Sequence, residues 1–240
     1  MRIDVVFTPA ELPRGLVTGR TTAVVDVLRA TTSIVQALVN GARRVLPVAT
    51  LEEAVRKAEE LGREDVLLCG ERDCQLIRGF DLGNSPEEFT ATRVADRTLV
   101  MTTTNGTPAL LAAADSTECL VAALVNARAV AARIAAAGRD AVIVCSGREG
   151  RFAYEDAYCA GVILRELRGL RPELTTNDAG RAAYRLVGNA PVFEVLRVTA
   201  AAQRLLELGM DRDVHFCAQL HLHDAVPVFD EHRIELTSRE

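Results

Sequence analysis

Short β-branched runs near Val5, Val24, Val45, Val66, Leu99, Leu120 and Val142 alternate with longer stretches of helical period, and this alternation constrains the fold more than any other feature. Helices are predicted over Ser33 to Val39, Leu51 to Leu61, Thr107 to Ala114, Ala127 to Ala137 and Glu155 to Leu167. Such an order makes an α/β protein with a largely parallel sheet layered with helices. Local signals agree. Thr50 and Glu53 are placed to open a helix with a capping box, while Gly41 and Gly138 follow helix ends. From Asn177 to Leu220 the pattern turns to consecutive helices, and a final strand is predicted at Val226 to Phe229. The expected organisation is a single domain over 1–240, with an α/β body to about 176 and a helical C-terminal addition plus a final strand over about 177–240.

With 240 residues the chain can bury a core without staples. Its 28 Lys and Arg against 33 Asp and Glu give a net charge of -5, and no run of five basic residues offers a footprint for nucleic acid or anionic lipid. Neither partner is expected. The longest apolar stretches, Ala109 to Ala114 and Ala129 to Ala137, fall well short of the roughly 20 residues that cross a bilayer. Met1 to Phe7 reads as a strand carrying Arg2 and Asp4 instead of a signal peptide, so a cytoplasmic location is expected. Six scattered cysteines without a C-x-x-C pair suggest neither a zinc site nor a disulfide framework. The Ala- and Leu-rich C-terminal helices are compatible with a homo-oligomer, and equally with ordinary core packing.

In open parallel sheets, ligands sit beyond the carboxyl ends of the strands, and four polar clusters fall in loops of that kind. In the first, Asp26 can hold a divalent cation, Arg29 offers a planar fork to phosphate oxygens, and Thr31 and Thr32 lie at a helix start with free N–H groups. The second joins Glu71 to the loop Gly79-Phe80-Asp81-Leu82-Gly83-Asn84-Ser85-Pro86. Its hard oxygen ligands suit Mg²⁺, and Ser85-Pro86 reads as a helix start. The third, Thr102-Thr103-Thr104-Asn105-Gly106-Thr107-Pro108, is an anion cradle of hydroxyls and backbone N–H groups. In the fourth, Cys145 to Asp156, the adjacent Glu155 and Asp156 open a helix and can supply a metal ligand and a general base.

Each cluster also has a plainer reading. Asp26 can simply pair with Arg29 while Thr31 or Thr32 caps the helix, Asp81 and Asn84 can satisfy their own turn, and the Thr-rich loop can be a well-capped junction. Glu155 and Asp156 can merely complement a helix dipole. Cys145 and Arg151 are spaced as C-x5-R between a strand and a helix, the outline of a thiolate phosphatase loop, and this stands as an alternative mechanism. A non-catalytic binder of phosphorylated acids is another. Three templates are disfavoured. The second acid required by haloacid-dehalogenase-type phosphatases is replaced by Leu28, the Thr-rich loop lacks a Gly-Lys-Thr ending, and no G-x-G-x-x-G follows the first strand. His215, His221, His223 and His232 cluster near the C-terminus without an acidic partner at helical spacing, and read as packing or solvent-facing residues.

The segments VVDVLRATTSIVQALVNGA (24 to 42), GERDCQLIRGFDLGNSPEE (70 to 88), TTTNGTPAL (102 to 110), LVNARAVA (124 to 131), FAYEDAYCAG (152 to 161) and LGMDRDVHFCAQLHLHDAVPVF (208 to 229) occur here in that order. The set resembles the 2-phosphosulfolactate phosphatase family of coenzyme M biosynthesis, the ComB-like proteins, over essentially the whole chain. The resemblance implies an unusual α/β fold and a Mg²⁺-dependent acid phosphatase. Its substrate would be the phosphate monoester of a small 2-hydroxy acid, and its products sulfolactate and phosphate. Carried onto this sequence, the functional candidates are Asp26, Arg29, Thr31, Glu71, Asp81, Asn84, Ser85, Thr104, Asn105, Gly106, Glu155 and Asp156. The Mg²⁺ ligands expected are Asp26, Glu71, Asp81 and Asp156. Arg29, Thr31, Thr32, Ser85 and the Thr104-Asn105-Gly106 turn are expected to hold substrate, with Asp26, Arg29 and Glu155 catalytic and Glu155 directing water. The chain departs from the family pattern at Arg72-Asp73-Cys74 and at Arg148 and Arg151. Arg72, Arg148 and Arg151 are the cations expected to meet a sulfonate and a carboxylate.

Overall fold

A computed structural model describes residues 1–236 of the chain. The body comprises β1 (Arg2–Val6), β2 (Thr21–Val25), α1 (Ala30–Val39), β3 (Arg44–Pro47), α2 (Leu51–Leu61), β4 (Val66–Arg72), β5 (Gln75–Leu76), α3 (Ala91–Val94), β6 (Thr98–Thr102), α4 (Gly106–Ala112), β7 (Glu118–Ala122), α5 (Ala127–Ala137), β8 (Ala141–Cys145) and α6 (Tyr154–Leu170). There follow β9 (Thr175–Thr176), α7 (Asp178–Leu186), α8 (Val192–Leu196), α9 (Ala200–Glu207), α10 (Asp211–Cys217), β10 (Pro227–Asp230) and β11 (Arg233–Leu236). All seven predicted strands of the body are present. β2, β6 and β8 are buried at every position, as strands covered on both faces must be. The expected capping box takes a looser form: Thr50 accepts from the Glu53 N–H, but Glu53 reaches back to the Ala49 N–H instead of that of Thr50.

The strands form one sheet in the order β5-β4-β6-β3-β11-β10-β7-β2-β8-β1-β9. Parallel pairing joins β4, β6 and β3 in one group and β7, β2, β8, β1 and β9 in another. Between them sits the C-terminal hairpin, antiparallel to β7 through β10 and to β3 through β11. The predicted final strand therefore has a second strand after it, and the pair lies in the middle of the sheet.

Three successive antiparallel pairings reverse strand direction between the two parallel groups. Over the six steps from β2 to β4, a twist of roughly 20–25° per strand turns the axis by on the order of 120–150°. The carboxyl ends of β4 and β6 thereby come round toward those of β2 and β8. The inside of the coil is filled by α1, packed on β7 and β3, and α4, packed on β2 and β3. Val24, Ile34, Leu99, Leu110, Val121, Phe229 and Ile234 make one continuous core there. On the other face Ala23, Val25, Ile143 and Cys145 pack with Val130, Ile134, Tyr158 and Ile163 of α5 and α6. The alternation of Val24 with Ala23 and Val25 between the two cores is the period of 2 expected of a strand.

The C-terminal helices return over the site end of the sheet. α10 packs on α9 and on the short turn Pro86–Glu88. Among the described residues no helix is long and apolar enough to cross a membrane.

Candidate active site

Asp26 follows β2 directly and is only 6% exposed. The Thr31 hydroxyl accepts from the Asp26 N–H at 2.9 Å and donates to the Asp26 carbonyl at 2.8 Å, while Thr32 donates to the Val27 carbonyl at 2.9 Å. Thr31 and Thr32 are wholly buried, so they lock the loop that presents Asp26 and do not reach the cavity as substrate ligands. The plainer reading of one or the other as a helix cap is not what is found: α1 starts without a side-chain cap, and both hydroxyls bond to the backbone of the preceding loop. Gly106 lies against the same carboxylate: a Cβ there would stand 2.7 Å from Asp26 Oδ2 and 2.5 Å from Ala30 Cβ. Only glycine lets the start of α4 come so close.

Glu71, at the end of β4, accepts from the Cys74 N–H at 2.9 Å and from the Thr104 N–H at 2.8 Å. It thus ties the second cluster to the third. Asn105 Oδ1 accepts from the Glu149 N–H at 2.9 Å and ties the third to the fourth. Asp156 accepts from the Val27 N–H at 2.9 Å, from the Ser146 hydroxyl at 2.9 Å and from the Gly147 N–H at 3.1 Å, and so closes the ring back to the first. Four loops distant in sequence wall one cavity of about 370 Å³. Asp26, Arg29, Glu71, Asn84, Thr104, Asn105, Glu155 and Asp156 line it, together with Arg72 and Arg148.

Gly106 backs Asp26 without lining the cavity, and two further predicted residues are elsewhere. Asp81 accepts from the Leu68 N–H at 2.7 Å and pairs with Arg63 at 3.1 Å, outside the cavity wall. It is a turn residue and not part of the carboxylate group. Ser85 is turned away from the cavity and donates to Asp213 Oδ1 at 2.5 Å. Asp213 was invisible as a functional residue in the sequence, although it lies within the LGMDRDVHF segment. It pairs with Arg29 at 2.6 Å, and Arg29 Nη2 also donates to the Cys74 carbonyl at 2.6 Å. The plainer reading in which Asp26 pairs with Arg29 is not realised, because Arg29 pairs with Asp213 instead. The Leu28–Arg29 peptide is cis.

Electrostatics set the carboxylates apart from ordinary surface acids. Burial pushes Asp26 up to about 7, with Glu71 and Glu155 adding like-charge repulsion against the Ala30 N–H. Asp156 is held well above the usual carboxylate range by burial and then by Asp26 and Glu155. Burial also raises Glu155, against the hydroxyl of Thr199 and the charge of Arg148. Arg72 donates to the Glu71 carbonyl and to Thr102 Oγ1, whereas the guanidinium of Arg148 has no protein partner among the described residues. Asn84 Oδ1 is a buried acceptor without a partner.

Oxygen donors crowded at this density fit a hard divalent cation, whose charge would offset the burial and the repulsion that raise Asp26 and Asp156. Among the described residues, no three His, Cys, Asp or Glu side chains are already gathered closely enough to hold an ion. The backbone N–H and hydroxyl bonds that now occupy Glu71 and Asp156 account for that, and Asp26 Oδ2 and Glu155 keep freer oxygens. The geometry lends the thiolate alternative no support. Cys145 shares the core-facing register of Ile143, is fully buried, and has its thiol pushed far up by burial and by Asp156. His221 accepts from the Arg128 N–H and His223 contacts Gln36, so both serve packing at the C-terminal segment.

A sheet whose carboxyl-end loops converge on a cavity of buried carboxylates and arginines has the layout of an α/β enzyme. The model of the 2-phosphosulpholactate phosphatase family matches residues 6–232, and the chain belongs to that family. Among its relatives is a protein of Symbiobacterium thermophilum named probable 2-phosphosulfolactate phosphatase, 41% identical over 91% of this chain and 94% of its own. Proteins of the same name from Thermotoga maritima and Clostridium acetobutylicum are 40% and 36% identical, over 94% and 95% of this chain and 94% and 97% of theirs.

Proposed function

We propose that the chain is a Mg²⁺-dependent phosphatase that hydrolyses the phosphate monoester of a small 2-hydroxy acid, converting 2-phosphosulfolactate to sulfolactate and phosphate. The observation that carries this reading is the burial of Asp26, Glu71, Glu155 and Asp156 around one cavity that also receives Arg29 and Arg148. Buried acids grouped this way suit a cation, and the Arg148 guanidinium, without a protein partner among the described residues, suits an anion. Asp26, Glu71 and Asp156 would hold Mg²⁺. When bound, the ion polarises the phosphoryl group and neutralises charge on the leaving oxygen.

The protein's own groups do the rest. Arg29 and the Thr104-Asn105 turn donate to the non-bridging phosphoryl oxygens, where charge builds in the transition state. Glu155, as a carboxylate made more basic by its burial, accepts a proton from the attacking water. Arg148, free of any protein partner, meets the second acidic group of the substrate, with Arg72 at the rim. The proposal takes the chain to work in the cytoplasm on a free metabolite, with no nucleic acid or membrane involved.

Phosphate release from 2-phosphosulfolactate tests the reading. Activity is expected with Mg²⁺, is expected to vanish in EDTA and return with Mg²⁺, and is expected to fall by at least about 100-fold in Asp26→Asn. Cys145→Ser is expected to stay active. Release that is indifferent to EDTA, or lost in Cys145→Ser and kept in Asp26→Asn, would defeat it.

A further inference from the structure

We infer that Asp213, on α10, is a positioning residue that holds the Arg29 guanidinium so that its remaining donors serve the phosphoryl oxygens of the substrate. The identity of those oxygens rests on the phosphatase reading. The geometry stands without it. Arg29 Nη1 donates to Asp213 Oδ2 at 2.6 Å and lies 3.3 Å from Met210 Sδ, while Nη2 donates to the Cys74 carbonyl at 2.6 Å. A guanidinium carries five N–H groups in a rigid fork. Among the described residues, the Nε–H and one Nη2–H of Arg29 are left without a protein partner, on a residue that lines the cavity.

The ion pair itself is out of water, with side chains only 3% and 5% exposed, while Arg29 Nε is not among the buried polar atoms that lack a partner and so opens onto the cavity. Asp213 is itself anchored. Its second oxygen accepts from Ser85 at 2.5 Å, next in sequence to Asn84 with its unpartnered buried acceptor at the cavity wall. Three separate stretches, Leu28-Arg29, Asn84-Ser85 and Met210 to Asp213, are thus fixed relative to one another through the Asp213 carboxylate, which takes Arg29 on one oxygen and Ser85 on the other. The C-terminal helices complete the site even though none of their acids lines the cavity.

A double-mutant cycle tests this. Wild type, Asp213→Asn, Arg29→Lys and the double variant are compared well below their melting temperatures for kcat and KM on 2-phosphosulfolactate, and for orthophosphate binding by calorimetry. Asp213→Asn alone is expected to lower kcat/KM and orthophosphate affinity by about 10- to 100-fold. In the Arg29→Lys background the same change is expected to matter by less than about 2-fold. Asp213→Glu, which keeps the charge, is expected to recover part of the loss. An equal loss in both backgrounds, or full activity in folded Asp213→Asn, would overturn the inference. If Asp213→Asn does not fold, Ser85→Ala enters the same cycle, with a smaller loss expected and the same dependence on Arg29. Should the wild type release no phosphate, the proposed activity fails, and the orthophosphate arm still decides the role of Asp213.

Discussion

At Asp26 burial and like charges work against ionisation while the Ala30 N–H supports it, and burial wins. The carboxyl ordinarily titrates near 3.8, and in the fold it is lifted to about 7. The folded state therefore binds the proton more tightly than the unfolded chain. The stability this contributes is full below the ordinary value and is lost as pH rises through the lifted one. In EDTA, the melting temperature of the wild type relative to Asp26→Asn is expected to rise as pH is lowered from about 8 to about 5. Parallel melting curves for the two proteins across that range would contradict the assignment. The residue types needed here were legible in the sequence: Asp26, Glu71, Glu155 and Asp156 all reach the cavity. What was not legible is which way a polar side chain turns. Thr31, Thr32, Ser85 and Asp81 have the right chemistry in the right loops, and each is consumed by a local or cross-loop bond that no spacing rule reveals.

The strand–helix alternation was enough to place the strands of the body because each run is short, apolar and bounded by turns. The pairing of those strands is non-local and leaves no mark on any one of them. Pro227–Asp230 looks like a terminal strand, yet with Arg233–Leu236 it fills the gap between β3 and β7. Phe229 and Ile234 enter the core shared by both parallel groups. Ile234→Ala is accordingly expected to destabilise the protein by about 2–5 kcal/mol, measured by urea unfolding. A loss below about 0.5 kcal/mol, the ordinary range for surface changes, would show that the hairpin is peripheral to the sheet.

For the molecule as a whole, the net charge of -5 conceals a division of labour. Acids converge at the carboxyl ends of three strands, arginines face them, and the coil of the sheet with the returning C-terminal helices brings the two parts together. Sequence order pointed to this meeting through the rule that parallel sheets bind ligands at their carboxyl ends. The reversal of strand direction across the central hairpin could not be foreseen, because the twist that offsets it is a property of the assembled sheet. The most direct test is a crystal soaked in Mn²⁺, a divalent ion with the same taste for oxygen ligands as Mg²⁺, examined for anomalous scattering. An anomalous peak among Asp26, Glu71, Glu155 and Asp156 is expected. Its absence there, or a peak at Asp81 in its place, would contradict the account.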